Sequence, residues 1–117
     1  MTQDKKREAD EIMDKIEKRL NEKKESTKDW GKTLHLIFTD IDTGYRLRFA
    51  MDGTCTVEKE EASKMKATDA EATVSTTVDT LKGIIEGTSS PILAMMGGKI
   101  KIDGDIGALL KLMPAFQ

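Results

Sequence analysis

From Asp4 to about Lys24 the apolar residues Ala9, Ile12, Met13, Ile16 and Leu20 recur at steps of 3, 1, 3 and 4. That spacing draws one stripe along an otherwise charged helix, and the stripe must dock on a core. Glu11 and Asp14 stand four residues before Lys15 and Lys18, the acid-before-base order that suits a solvated helix face. Past Trp30 and Gly31 the period changes to two. Thr33 to Ile41 reads as a strand with Leu34, Leu36 and Phe38 on one face and Ile37 and Ile41 on the other, and Asp42-Thr43-Gly44 reads as its turn. Tyr45 to Met51 sets Tyr45, Leu47, Phe49 and Met51 opposite Arg46 and Arg48, and Asp52-Gly53 is a two-residue hairpin signal before Thr54 to Lys59. Glu60 to Lys66 is polar and fits a loop or a short helix. Ala70 to Thr77, rich in Thr and Val, fits a fourth strand.

The helical period returns with Val78, Leu81, Ile84 and Ile85, and Gly87 is the expected stop. Ser90-Pro91 caps a short helix from Ile92 to Met96, which Gly97-Gly98 ends. Lys99 to Asp103 alternates as a fifth strand. Asp105 then caps a last helix carrying Ile106, Leu109, Leu110 and Met113 up to Pro114. The order α-ββββ-αα-β-α predicts an α+β fold, a five-stranded, mainly antiparallel sheet covered on one face by helices.

With 117 residues the chain fits one domain spanning 1–117. Residues 1–30 carry 18 charged side chains, nine of each sign, while residues 79–117 carry eight and hold 18 apolar ones. The net charge of −2 lacks the basic footprint of a nucleic-acid binder. A single cysteine, and no apolar leader with a cleavage site, point to a cytoplasmic protein. The longest mainly apolar window, Pro91 to Gly98, is far short of the roughly 20 residues of a membrane span. The last residues, Pro114-Ala115-Phe116-Gln117, are not a peroxisomal tripeptide.

Candidate chemistry is sparse. With His35 the only histidine and Cys55 the only cysteine, a zinc site of the usual Cys/His kind cannot form, and no other cofactor is called for. A Cys55–His35 nucleophile pair requires adjoining strands with both side chains on one face; otherwise each is a plain sheet position. Asp40-Ile41-Asp42-Thr43-Gly44 imitates the start of a calcium loop, but its twelfth position is Met51 where glutamate is required. Met95, Met96 and Met113, three of seven methionines, suit either an irregular core or an adaptable apolar cavity.

Ala70-Glu71-Ala72-Thr73-Val74-Ser75, Leu81 to Gly87, Gly98-Lys99-Ile100-Lys101-Ile102-Asp103-Gly104-Asp105 and Leu109-Leu110-Lys111-Leu112 together resemble the sterol carrier protein domain. The third run matches the family signature G-K-[IL]-K-[IVL]-x-G-[DN] in full. The resemblance covers nearly the whole chain and is closest to the stand-alone, prokaryotic-type members, which lack a fused thiolase or dehydrogenase. It implies a small lipid-binding or lipid-transfer domain with a hydrophobic tunnel between sheet and helices. Carried over position by position, the lining candidates are Leu81, Ile85, Leu93, Met96, Ile106, Leu109, Leu110 and Met113, with Phe116 as a lid over the mouth. Plain core is the competing role for each lining residue, and fraying into solvent for Phe116.

The implied function is non-catalytic carriage of a fatty acid, acyl-CoA, sterol or isoprenoid, with transient membrane contact. Each buried methylene contributes about 0.8 kcal/mol, so a chain of ten or more carbons suffices. The alternatives are a partner-docking module in lipid or isoprenoid-quinone metabolism, and an enzyme using Cys55 or a carboxylate.

Overall fold

The computed structural model describes residues 2–116. Helix α1 spans Thr2–Glu22, and all five residues of its stripe are buried. Strands β1 (Thr33–Phe38), β2 (Thr43–Phe49), β3 (Cys55–Glu61), β4 (Ala72–Thr76) and β5 (Lys101–Gly104) form one sheet in the order β3-β2-β1-β4-β5. Every pairing is antiparallel except β1 with β4, which run parallel. The sheet is therefore mixed, as the connection after β3 must pass both β2 and β1 to reach β4. That passage, residues 62–71, crosses the face opposite the helices. A Cβ on Gly44 would strike the Met65 sulfur there, and Asp69 shares a depression with Thr33, Arg46 and Arg48.

The helix-covered face carries Leu34, Leu36 and Phe38 of β1, Tyr45, Leu47 and Phe49 of β2, and Ala72, Val74 and Thr76 of β4, all buried. Ile41 is buried too, but in the turn at 39–42, because β1 stops at Phe38 and β2 already begins at Thr43. Met51 likewise falls in the Asp52-Gly53 hairpin and is exposed. In that hairpin the Thr54 N–H donates to Asp52 Oδ1 at 2.9 Å, and Gly53 takes φ 91° with its missing side chain turned onto the Lys24 carbonyl.

Helix α1 does more than present a solvated face. Its Asn21 and Glu17 treat the edge strand β3 as a neighbouring strand would. Asn21 Nδ2 donates to the Cys55 carbonyl at 3.0 Å, Asn21 Oδ1 accepts the Cys55 N–H at 2.9 Å, and Glu17 Oε2 accepts the Val57 N–H at 3.1 Å. Backbone groups that would invite another strand are thereby occupied. Asp10 Oδ1 accepts the Tyr45 hydroxyl at 2.6 Å and Asp10 pairs with Lys59, fixing the first turns of α1 on the same sheet half.

The helices of the back third are capped, at Gly87 and Ser90 as expected and at Thr77 in addition. Thr77 accepts the Thr80 N–H to start α2 (Val78–Glu86), and Gly87 ends it at φ 82°. Ser90 accepts the Leu93 N–H and Pro91 opens α3 (Pro91–Met96). The expected last α-helix is corrected: Ile106–Lys111 and Met113–Phe116 are 3-10 segments. Pro114 has no N–H and its ring would strike the carbonyl four residues back, so an α-helix cannot run through it. The three-residue period eclipses side chains three apart. Leu109, Leu112 and Ala115 become the buried row, and Leu110, Met113 and Phe116 the outer one.

Candidate functional site

The back third forms an apolar rim around edge strand β5. Helix α3 leads into β5 and the 3-10 segment Ile106–Lys111 leaves it. Ile92, Leu93 and Met96 on α3 and Ile106 and Leu110 on the 3-10 segment are 60–79% exposed. Ile102, on the helix-covered face of β5 opposite Val74, is half-buried against the core. Five large apolar side chains in water, all on two short segments flanking one strand, are more than scattered surface residues.

The nine lining candidates divide three ways. Leu81, Ile85 and Leu109 are buried, Leu93, Met96, Ile106 and Leu110 face solvent, and Met113 and Phe116 are half-buried. The helical period placed Ile106, Leu109, Leu110 and Met113 on one stripe; the three-residue period separates Leu109 from Leu110 and Met113, while Ile106, at the start of the Leu109 row, is exposed. That period also brings in Leu112 and Ala115, both with no exposed surface, which a 3.6-residue reading misses. The interior between sheet and helices is filled: Phe38, Ile16, Leu20, Leu34, Leu47 and Leu112 have no exposed surface. The depressions that stand out among the described residues hold about 280 to 480 Å³ each, and all of them open to solvent.

One α1 residue holds the carboxy-terminal segment down. Arg19 Nη1 donates to the Ala115 carbonyl at 2.9 Å and to the Ile85 carbonyl at 3.3 Å, and Lys23 Nζ donates to the Pro114 carbonyl at 3.2 Å. The closing segment is thus tied to both α1 and the end of α2.

Cys55 and His35 do not meet. Cys55 lies on the helix-covered face of β3, opposite Phe49, whereas His35 is on the other face of β1, opposite Arg46, with β2 between the two strands. Burial, with Glu17 nearby, pushes the Cys55 thiol up to about 12, so it is not a ready nucleophile. Asp40 belongs to a structural tie: its carboxylate accepts the Val78 N–H and pairs with Lys5.

His35 is 1% exposed beneath the 62–71 crossing. Its Nε2 accepts from Arg46 Nε at 3.3 Å, so the neutral ring keeps its proton on Nδ1, which finds no partner among the described residues. Burial and then the Arg46 charge hold its pKa below the ordinary value, against the weaker pull of Asp69 and Glu60. Between the lowered folded value and the unfolded value of about 6.5 the unfolded chain binds the extra proton, so stability falls as pH drops below about 6.5 and is flat just above it. Urea midpoints measured through that range should fall for the parent chain and stay nearly level for His35→Leu; parallel curves would remove His35 as the cause.

Residues 13–117 match the SCP-2 sterol transfer family. The chain belongs to that family. No curated protein is a match in sequence. Among solved structures the SCP-2 fold recurs in sterol carrier protein 2 from Yarrowia lipolytica in its apo form, with 21% identity, a TM-score of 0.59, and 91% of this chain and 89% of that one covered. A ubiquinone synthesis protein, UbiJ-SCP2, matches at 19% identity and a TM-score of 0.54, covering 86% of this chain and 71% of that one. The stereoselective inverting sec-alkylsulfatase Pisa1 from Pseudomonas sp. matches at 25% identity and a TM-score of 0.62; 80% of this chain is covered, and it spans 13% of that enzyme's length. The SCP-2 fold thus occurs both alone and as a small part of a longer chain. Among the described residues no helix is long and apolar enough to cross a membrane.

Proposed function

We propose that this SCP-2 domain is a non-catalytic carrier of a single-chain lipid, admitted at the β5 edge when α3 and the 3-10 segments part from the sheet. The observation that carries the reading is the exposed set Ile92, Leu93, Met96, Ile106 and Leu110. Membership of a sterol transfer family agrees with it. An acyl chain laid against those side chains would cover apolar surface on both partners at about 25 cal/mol per Å². The buried candidates Leu81, Ile85 and Leu109 lie deeper and would line the inner wall once the segment lifts; Met113 and the half-buried Phe116 sit at its rim.

A second reading, a partner-docking module without free lipid transfer, is favoured by the same exposed rim and by the likeness to a ubiquinone synthesis protein. Native mass spectrometry followed by organic extraction separates the two. Protein purified without denaturation is expected to carry a lipid-sized mass increment that extracts into solvent. A single apo mass, with no displacement of a fluorescent acyl probe at micromolar protein, supports the docking module instead.

A further inference from the structure

The corner between α2 and α3 holds a depression of about 440 Å³ with both polar and apolar lining. It is lined by the hydroxyl-bearing Thr80, Thr88, Ser89 and Ser90, by Lys99 and Asp79, and by the apolar Leu93 and Ala94. Resting on the lipid-carrier reading, we propose that this depression seats an anionic oxygen headgroup, a carboxylate or a phosphate, while the attached chain runs along α3.

Three features support this. Lys99 is fixed at its root: its N–H donates to the Ala94 carbonyl at 2.8 Å and its carbonyl accepts the Thr76 hydroxyl at 2.9 Å. Its ammonium makes no ion pair among the described residues, whereas the nearby Asp79 is already met by Lys5 at 3.7 Å. The cation in this corner is therefore the one with charge to spare. The Ser89 and Ser90 hydroxyls beside it can donate to an oxyanion, whereas Thr88 gives its proton to the Gly83 carbonyl and the Thr80 hydroxyl is bonded to that of Thr77. Finally, Leu93 is the point where the depression joins the exposed apolar surface of α3. Met96 lies three residues on, on the same helix face, so an amphiphile with its head at Lys99 has its chain directed along Leu93 and Met96 toward β5.

An uncharged headgroup would forgo the charge-assisted contact, which sets up a comparison that the lipid reading alone does not make. A fluorescent polyene fatty acid and its methyl ester share one chain and differ only in the head. The acid should bind about tenfold more tightly than the ester, the worth of one charge-assisted hydrogen bond. Lys99→Met, which keeps the apolar stem of an exposed side chain, should remove that advantage and leave ester affinity unchanged; the ester is thus an internal check of folding. Raising ionic strength to about 0.5 M should weaken the acid alone. Equal affinity for acid and ester in the parent chain, or acid affinity unaltered in Lys99→Met, overturns the proposal while leaving lipid carriage standing. Inorganic phosphate that binds at Lys99 as tightly as the fatty acid assigns the corner to a free anion and also overturns it. If neither probe binds, the carrier reading falls, and the headgroup seat with it.

Discussion

Arg19→Ala is expected to lower the free energy of unfolding by about 2 kcal/mol, the range for hydrogen bonds from a charged donor, and to speed the release of a bound acyl chain. One guanidinium nitrogen serves both the Ala115 and the Ile85 carbonyls, so its loss strands two backbone acceptors and unties the closing segment from α1 and α2 together. The segment's other anchors are the buried Leu109, Leu112 and Ala115 and the Lys23 bond to the Pro114 carbonyl, since 3-10 turns are short and their own hydrogen bonds poorly aligned. The end of the segment is therefore not a dispensable tail. Ala115 has no exposed surface and its carbonyl is the Arg19 acceptor; Gln117 lies outside the described residues. Urea unfolding and stopped-flow release of an acyl probe check the prediction. A variant of parental stability with an unchanged off-rate would mean that Arg19 does not restrain the segment.

A charge at position 110 and a charge at position 109 should have opposite consequences. Leu110 is 68% exposed and Leu109 is 6% exposed, though the two are adjacent. Leu109→Glu forces a carboxylate into the interior without a partner and should unfold the chain. Leu110→Glu should remain within about 0.5 kcal/mol of parental stability, as surface substitutions do. It should nevertheless weaken acyl-chain binding by about tenfold or more, because it removes apolar contact and sets a charge against the chain. Met113→Glu, the natural choice from the helical stripe alone, mixes both effects because Met113 is half-buried. Thermal melts and probe titrations on the two variants measure this directly. Unchanged binding in a folded Leu110→Glu would take the 3-10 segment out of the site.

The alternation of β1 and β2, the hairpin at Asp52-Gly53, the stop at Gly87 and the caps at Ser90 and Asp105 are all legible in the sequence, because each follows from a local rule that tertiary contacts did not oppose. The parallel β1–β4 pairing was not, since strand periodicity carries no direction and the 62–71 crossing looks like any polar loop. The last element was misread for a different reason. Ile106, Leu109, Leu110 and Met113 satisfy a helical period, but the chain here forms 3-10 turns, and that moves the buried row to Leu109, Leu112 and Ala115. The charge pattern of α1 predicts a solvated face, and Glu11, Asp14, Lys15 and Lys18 are exposed. Glu17, Asn21 and Arg19 instead hold the β3 edge and the carboxy-terminal segment, long-range partners that no i-to-i+4 pattern reveals. Within the site, the apolar composition of the back third was visible, whereas which side of each short segment faces water was set by packing around β5.

The most direct test of a lipid site at the β5 edge is residue-resolved. Backbone amide shifts in a 1H–15N correlation spectrum, followed during titration with a long-chain fatty acid, should move most at residues 92–96, at Ile102 and through 106–113, and saturate at one equivalent. Absence of saturable shifts, or shifts confined to the outward face of α1 and the 62–71 crossing, would contradict the account.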